Sequence, residues 1–244
     1  MARLVPSEPA LVIPVCRNAR ISGHHVSTVV ARTPAVDRDL AGGVGLRPWA
    51  WSDIGSREVA ASWQAAFMDH AEVLLIGGRA GVGKTTVAWE VSARLRVVAV
   101  SHAVIEGDFM GQVHPAPDGD PHRSEITESN LTAVWANFAQ RGYCRLIYTN
   151  TLSVMPEATG MFERAMGAGV RIVRVLLTAS DATAGERLAG RELGSELEQE
   201  LKASARKARL LDERAAADTE RVVTDGRPVV DIAREVVAAT GWGG

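Results

Sequence analysis

A glycine-rich segment that ends in a lysine and a threonine is the part of the sequence whose residue types indicate chemistry most directly. Residues 78–85 read G-R-A-G-V-G-K-T, which matches the Walker A pattern G-x-x-x-x-G-K-[ST] of phosphate-binding loops. The glycines allow positive φ angles, so that successive backbone N–H groups can face one anion. Lys84 can then reach the β- and γ-phosphates of a nucleotide, and the Thr85 hydroxyl can coordinate Mg²⁺. The residues expected to contact the nucleotide here are Gly78, Arg79, Ala80, Gly81, Val82, Gly83, Lys84, Thr85 and Thr86.

The segments on either side of this motif are those that a phosphate-binding loop requires. Residues 73–76 are aliphatic and predict a strand, whereas residues 84–95 predict a helix. The unsatisfied N-terminal amides and the dipole of that helix add to the attraction for phosphate. A glycine-rich turn that fits the pattern by chance is the alternative, and the order strand, loop, helix argues against it.

Beyond the motif, β-rich and helical segments alternate along the chain, which indicates a parallel sheet with helices on both faces. Strands are predicted at residues 73–76, 97–105, 145–148, 170–177 and 221–224. Helices are predicted at residues 84–95, 126–140, 155–166 and 229–237, with a long, charged helical stretch at 182–217. We therefore predict an α/β protein of three layers, α/β/α, around a parallel sheet of five strands.

Asp108 is the candidate for a catalytic carboxylate. It lies 24 residues after Lys84, one helix and one strand later, so the predicted topology returns it to the same edge of the sheet. A carboxylate at that place can orient a hydroxyl group, accept its proton and bind a metal-coordinated water. Glu106 is the weaker candidate, and a turn-forming aspartate beside Gly107 is the structural alternative.

The charge balance and the apolar runs exclude some classes of partner. The 27 basic and 29 acidic side chains give a formal net charge of −2, which provides no field for nucleic acid or an anionic membrane. The longest apolar runs are far shorter than the roughly 20 residues that cross a bilayer. Cys16 and Cys144 have no metal-type spacing, and a reducing cytoplasm is the simpler interpretation. We expect a cytoplasmic protein with a small-molecule substrate, and the oligomeric state stays open.

Residues 71–242 resemble the small kinases of the shikimate kinase, gluconate kinase, adenylylsulfate kinase and chloramphenicol phosphotransferase type, which share the nucleoside-monophosphate-kinase-like P-loop fold. The resemblance is carried by the Walker A motif, by residues 106–109, by the arginines at 187 and 191, and by the pattern at 217–237. It implies that ATP and Mg²⁺ are the cofactors and that the γ-phosphoryl group is transferred to a hydroxyl of a small molecule. It also implies that Asp108 is catalytic and that Thr85 and Asp108 hold the metal.

Two further pairs of residues are assigned to the nucleotide by this resemblance. Arg187 and Arg191 match two arginines at the lid of such kinases. One of those arginines stacks on adenine, and the other reaches the phosphates during transfer. We take Arg191 as the catalytic one. An ordinary i, i+4 surface charge pattern is the alternative. Arg227 and Pro228 would lie against the base, although the start of the last helix explains them equally well.

The polar loop at residues 107–121 and the helix after it are where we expect substrate selection. His114, Asp118, Asp120 and His122 cluster there, but their spacing matches no standard pattern of metal ligands.

The domain organisation follows from these assignments. Residues 71–244 are predicted to form the P-loop kinase domain, with a lid around 182–212. Residues 48–70 form a helical lead-in, because Trp63, Ala66 and Phe67 recur at helical spacing. Residues 1–47 are an N-terminal extension, for which disorder and a role in covering the site are both open.

Two other functions remain open. One is a nucleotide-binding regulatory module or ATPase that acts on a protein partner, and the less favoured one is a nucleic-acid end-kinase. ATPases that hydrolyse nucleotide to drive movement have an aspartate, or an Asp-Glu pair, at the end of the third strand. Here the third predicted strand is followed by Asn150, and this difference argues against a motor protein.

Overall fold

Five parallel strands form the centre of the molecule. The computed structural model describes residues 70–190 and 197–243, and the strands are β1 (Glu72–Gly77), β2 (Ala103–Glu106), β3 (Arg145–Thr149), β4 (Arg171–Thr178) and β5 (Glu220–Val223). Their order in the sheet is β2-β3-β1-β4-β5, and all four neighbouring pairs are parallel. The predicted parallel sheet of five strands is therefore confirmed.

The described part of the chain contains six helices. They are α1 (Lys84–Val97), α2 (Ser124–Ala139), α3 (Thr159–Met166), α4 (Asp181–Ala189), α5 (Leu197–Arg214) and α6 (Val229–Thr240). Because the central strand β1 is buried on both faces, its residues 73–76 form a continuous aliphatic run without polar alternation.

The side chains of β1 point alternately into two hydrophobic cores. Leu74 and Ile76 pack against α1 and α6, whereas Val73 and Leu75 pack against the opposite layer of α2, α3 and the end of α5. The helical residues that complete the two cores include Val91, Leu95, Ile232 and Val236 on the first face and Leu131, Trp135, Phe162 and Leu211 on the second. The prediction of three layers, α/β/α, is thereby confirmed.

The second strand is shorter than the prediction of residues 97–105. α1 continues to Val97, and Ala99 then adopts a left-handed conformation with φ of 55°. The Val100 N–H donates to the Leu95 carbonyl at 2.9 Å and closes this turn, so β2 begins only at Ala103. The apolar pair Val97 and Val98 therefore lies exposed at the helix end, where its high β-propensity was misleading.

Several predictions differ only in detail or lie outside the described residues. The predicted helix at 155–166 starts with a 3₁₀ turn, Pro156–Ala158, and α3 follows it. The extension at 1–47, nearly all of the lead-in at 48–70 and Arg191 lie outside the described residues. Within the described ranges, no helix is both long enough and apolar enough to cross a membrane.

A cluster of polar contacts around Glu72 fastens the C-terminal end of the chain to the edge of the sheet opposite the phosphate-binding loop. The Glu72 carboxylate accepts from Arg145 Nε at 3.0 Å, from Arg171 Nη1 at 2.5 Å and from the Trp242 indole N–H at 2.9 Å. Arg171 also donates to the Thr240 carbonyl at 2.9 Å. Glu72 thus connects β1, β3 and β4 with the end of α6, which is one of the helices that cover the first core.

We predict that Glu72→Ala lowers the free energy of unfolding by about 2–4 kcal/mol, because the buried Arg145 guanidinium loses its carboxylate partner. Urea unfolding measures this change. Glu198→Ala is the matched control, because Glu198 forms an exposed i, i+4 pair with Lys202 and its loss should change stability by less than about 0.5 kcal/mol. Equal stabilities of the two variants would contradict the role assigned to Glu72.

Candidate active site

The loop between β1 and α1 curls around the point where α1 begins. Gly78, Gly81 and Gly83 have φ angles of 142°, 82° and 100°, which side chains with a Cβ rarely adopt. Gly81 is also fixed by packing, because a Cβ there would lie 2.6 Å from the Ala184 carbonyl oxygen of α4. The glycines of the motif are thus required by backbone conformation and, at Gly81, by contact with α4.

Lys84 and Thr85 begin α1 and face the inside of the loop. The Lys84 amine donates to the Gly78 carbonyl at 3.0 Å and to the Arg79 carbonyl at 3.3 Å. The Thr85 hydroxyl donates to Glu106 Oε2 at 3.2 Å, and Glu106 is the last residue of β2. Glu106, the weaker of the two sequence candidates, is therefore the carboxylate that contacts the predicted magnesium ligand.

Asp108 lies on a 3₁₀ turn, Gly107–Phe109, directly after β2. It lines a cavity of about 200 Å³ together with Lys84 and Thr85, so the expectation that these three residues share one edge of the sheet agrees with the geometry. The other residues of this cavity are Ala80, Gly81, Gly83, Leu188 and Glu200. The cavity thus brings the Lys84 amine together with two carboxylates, that of Asp108 on the turn after β2 and that of Glu200 on α5.

Tyr148 of β3 forms the floor beneath the turn that carries Asp108. The tyrosine ring is buried and packs edge-to-face on Phe162 at 5.1 Å, and a Cβ at Gly107 would overlap its phenol group. Burial, and to a smaller extent the charge of Asp108, raises the pKa of Tyr148 well above its usual value. The neutral form of the phenol is thereby favoured beneath the turn.

Asp108 is held by a neighbour that the sequence analysis did not assign to the site. The Asn150 side-chain N–H donates to Asp108 Oδ1 at 2.8 Å. Asn150 directly follows β3, so the rule that located Asp108, a polar residue at the carboxyl end of a parallel strand, could also have found it.

Arg79 occupies the loop with its backbone, but its side chain turns away and is buried between α4 and α5. Its guanidinium forms an ion pair with Asp181 and donates through Nε to the Ser204 hydroxyl at 2.8 Å. Ser204 in turn donates to the Ala80 carbonyl at 2.9 Å. Arg79 was expected at the nucleotide, and its side chain instead ties the loop to the two helices above it. No sequence signal marked Ser204 as its partner.

Arg187 reaches from α4 to the other side of the loop. Its guanidinium donates to the Val82 carbonyl at 3.0 Å, to the Thr224 hydroxyl at 3.1 Å and to the Thr224 carbonyl at 3.3 Å. These contacts do not fit a simple pattern of surface charges, which was the alternative interpretation.

A second cavity of about 320 Å³ adjoins the loop on the side of Arg187. Thr86 and Arg227 line it with Gly81, Gly83 and Gly190, whereas Pro228 precedes α6 in an extended conformation that starts the helix. Arg227 also pairs with Glu235 of α6 at 2.7 Å. The structure therefore brings Arg187 and Arg227 to one cavity, whereas Pro228, which was also expected against the base, is not among the residues that line it.

Asp225 fixes the wall of this cavity to the start of α4. Hydrogen bonds from the Thr183 hydroxyl, the Ser180 hydroxyl and the Ser180 N–H lower the pKa of Asp225 to about 2. Because folding lowers this pKa from 3.8, the contact stabilises the protein at neutral pH, and the stabilisation is lost as the pH falls towards 2.

Asp120 has a structural role in the loop before α2. Its carboxylate accepts from the backbone N–H groups of Ser124, Glu125 and Ile126 at 2.7, 2.9 and 3.2 Å, and it therefore caps the N-terminus of α2.

Among the residues that the structure describes, no group of three or more histidine, cysteine or acidic side chains is arranged to hold a metal ion.

The chain is similar to several solved structures. The chain is 19% identical to the tunicamycin resistance protein of Deinococcus radiodurans, with a TM-score of 0.50 over 70% of this chain and 96% of that one. A gluconokinase from Sinorhizobium meliloti 1021 gives 18% identity and a TM-score of 0.49, over 70% and 93% of the two chains. A shikimate kinase from Acinetobacter baumannii gives 18% and 0.42, over 71% and 94%. At such identities the likeness to the Deinococcus protein shows the fold alone.

Sequence comparisons give the family. No curated protein matches the chain significantly. The model of the family described as AAA domain matches residues 73–219, which is more than half of the chain and includes the loop, Asp108, Asn150, α4 and α5. The predicted P-loop α/β/α fold is thereby confirmed, and this fold implies nucleotide binding. The chain belongs to the AAA domain family.

Proposed function

We propose that the protein is a phosphotransferase that moves the γ-phosphoryl group of ATP to a hydroxyl of a small molecule, with Mg²⁺ as the metal. The observation that carries this proposal is that Lys84, Thr85 and Asp108 line one cavity at the carboxyl edge of the sheet. Phosphoryl transfer requires a cation at the phosphates and a group that receives the proton of the acceptor. Lys84 would supply the cation and Asp108 the proton acceptor, and both residues line the same cavity, shortly after β1 and β2.

The two cavities suggest how ATP would lie. The amides of residues 78–85 and the Lys84 amine would bind the β- and γ-phosphates, because they concentrate positive charge in the first cavity. The base would occupy the second cavity, where Thr86, Arg187 and Arg227 lie. Arg191 follows Gly190 of this cavity directly in sequence, and we propose that it reaches the phosphates during transfer.

The donor groups beside the phosphate site suit magnesium. Mg²⁺ prefers oxygen ligands and commonly keeps several waters and substrate phosphates, so few protein ligands are needed. The Thr85 hydroxyl already contacts a carboxylate of Glu106 at 3.2 Å, and Asp108 lines the same cavity. Thr85 and Asp108 would hold the ion, with Glu106 orienting the Thr85 hydroxyl. When bound, the ion would neutralise charge on the β- and γ-phosphates.

In the transfer step that we propose, Asp108 accepts the proton of the acceptor hydroxyl. The acceptor oxygen forms a bond to the γ-phosphorus as the bond from that phosphorus to the oxygen bridging it to the β-phosphate breaks, so that ADP leaves. Lys84 stabilises the negative charge that develops on the phosphoryl oxygens, since its amine is fixed above the loop by the Gly78 and Arg79 carbonyls.

We predict that the protein transfers phosphate from ATP·Mg²⁺ to at least one acceptor in a panel of sugar acids, shikimate, nucleosides, aminoglycosides and phenicol antibiotics. γ-Labelled ATP followed by separation of products measures both the labelled acceptor and free phosphate. If label appeared only in inorganic phosphate, at the same rate with every compound, the protein would be an ATPase, and the phosphotransferase proposal would be wrong.

We predict that Asp108→Asn lowers the rate of transfer by about two to four orders of magnitude, because the amide cannot accept the proton. The dissociation constant of ATP measured without Mg²⁺ should change less than about threefold, since the loop and Lys84 are untouched. Glu163→Gln is the matched control, because it makes the same change from carboxylate to amide at an exposed residue of α3 that lines neither cavity. Stopped-flow or steady-state kinetics with isothermal titration would measure both quantities. Transfer at the wild-type rate in Asp108→Asn would exclude Asp108 as the proton acceptor.

A further inference from the structure

Asn150 joins the strand of the phosphate-binding loop to the turn that carries Asp108. It directly follows β3, which lies between β2 and β1 in the sheet. Its backbone N–H donates to the Ile76 carbonyl of β1 at 3.3 Å, and the carbonyl of the next residue, Thr151, accepts from the Gly78 N–H at 3.2 Å. The position of Asn150 is therefore coupled to the first residue of the loop.

The side-chain amide of Asn150 has one defined orientation. Its Oδ1 accepts from the Leu152 N–H at 3.0 Å, as in an Asx turn, and its Nδ2 donates to Asp108 Oδ1 at 2.8 Å. Only oxygen can accept from the Leu152 amide, and only nitrogen can donate to a carboxylate, so both contacts assign the same orientation. The Ser153 hydroxyl also donates to the Asn150 carbonyl at 3.0 Å and fixes the backbone.

This contact restrains a carboxylate that is otherwise exposed on a short turn. Asp108 follows Gly107, and its side chain is open to the solvent. Because Asn150 donates to Oδ1, it restricts the orientations that the carboxylate can adopt. An aspartate at position 150 could form the same turn with Leu152, but it would repel Asp108 and could not donate to it. The negative charge of Asp108 thus explains why a neutral amide, and not a carboxylate, follows β3.

We propose that Asn150 is a positioning residue that orients the Asp108 carboxylate towards the hydroxyl of the phosphoryl acceptor. The inference rests on the proposed function, in which Asp108 accepts the proton of that hydroxyl. Asn150 itself contacts neither substrate nor metal, and it acts through Asp108. Its loss should lower the rate of transfer and leave the binding of ATP intact, because a misplaced reacting group costs up to about 100-fold in rate.

Two substitutions separate positioning from a role in the turn alone. Asn150→Asp keeps the oxygen that accepts from Leu152 but replaces the donor to Asp108 by a negative charge. Asn150→Ser keeps a turn-forming oxygen but is neutral and too short to reach Asp108. We expect kcat to fall about 10-fold in Asn150→Ser and about 100-fold in Asn150→Asp, with the KM for ATP changed less than about threefold. Ser101→Asp is the control, because it adds the same charge at an exposed serine just before β2, at the edge of the sheet opposite the site, and it should match the wild type.

The rates are measured on the acceptor that the panel identifies and, in parallel, on water, and urea unfolding verifies that each variant is folded. If Asn150→Asp and Asn150→Ser keep more than half of the wild-type kcat while Asp108→Asn is slow, Asn150 serves the turn alone, and this inference is overturned by itself. If Asp108→Asn is as fast as the wild type, the proposed role of Asp108 fails, and the inference fails with it. If Asn150→Asp does not fold, a wild-type kcat in Asn150→Ser is sufficient to overturn the inference.

Discussion

The parallel order β2-β3-β1 is the constraint on which the site depends, because it brings the carboxyl ends of three strands to one edge of the sheet. The phosphate-binding loop follows β1, Asn150 follows β3, and Asp108 lies on the turn after β2. The registers place Ile76 beside Thr149 and Thr149 beside Glu106, so the three strands end at the same level. A lysine amine and a carboxylate that are 24 residues apart in the chain therefore line one cavity.

Side-chain contacts join α4 and α5, which lie above this edge, to the phosphate-binding loop. Arg79 and Ser204 connect it to α4 and α5, and Arg187 connects it to Thr224 beside β5. Leu188 of α4 and Glu200 of α5 line the cavity that also contains Lys84 and Asp108. A nucleotide that binds the loop would thus lie close to α4 and α5 as well as to β1 and α1.

The local patterns of the sequence predicted the sheet and the loop well, because both depend on residues that are close in the chain. The Walker A spacing and the aliphatic run before it placed Lys84 correctly after β1, and the strand count placed Asp108 at the same edge. The end of α1 was mispredicted, because Val97 and Val98 have β-propensity but follow a helix that closes with Ala99 in a left-handed turn. The buried contacts of Arg79 with Ser204, 125 residues away, depend on tertiary packing that no local pattern encodes. The same rule, that polar residues at the carboxyl ends of parallel strands meet at one edge, could also have identified Asn150. The sequence analysis noted only that Asn150 stands where ATPases that drive movement have an acidic residue.

A crystal structure of the protein with Mg²⁺ and a non-hydrolysable ATP analogue tests the central claim most directly. The account predicts that the terminal phosphate lies within hydrogen-bond distance of the Lys84 amine. It also predicts that the Asp108 carboxylate, still bonded to Asn150, faces the side of that phosphate opposite the β-phosphate, where an acceptor hydroxyl would attack in line. A terminal phosphate bound away from Lys84, or an Asp108 side chain directed away from that phosphate, would contradict it.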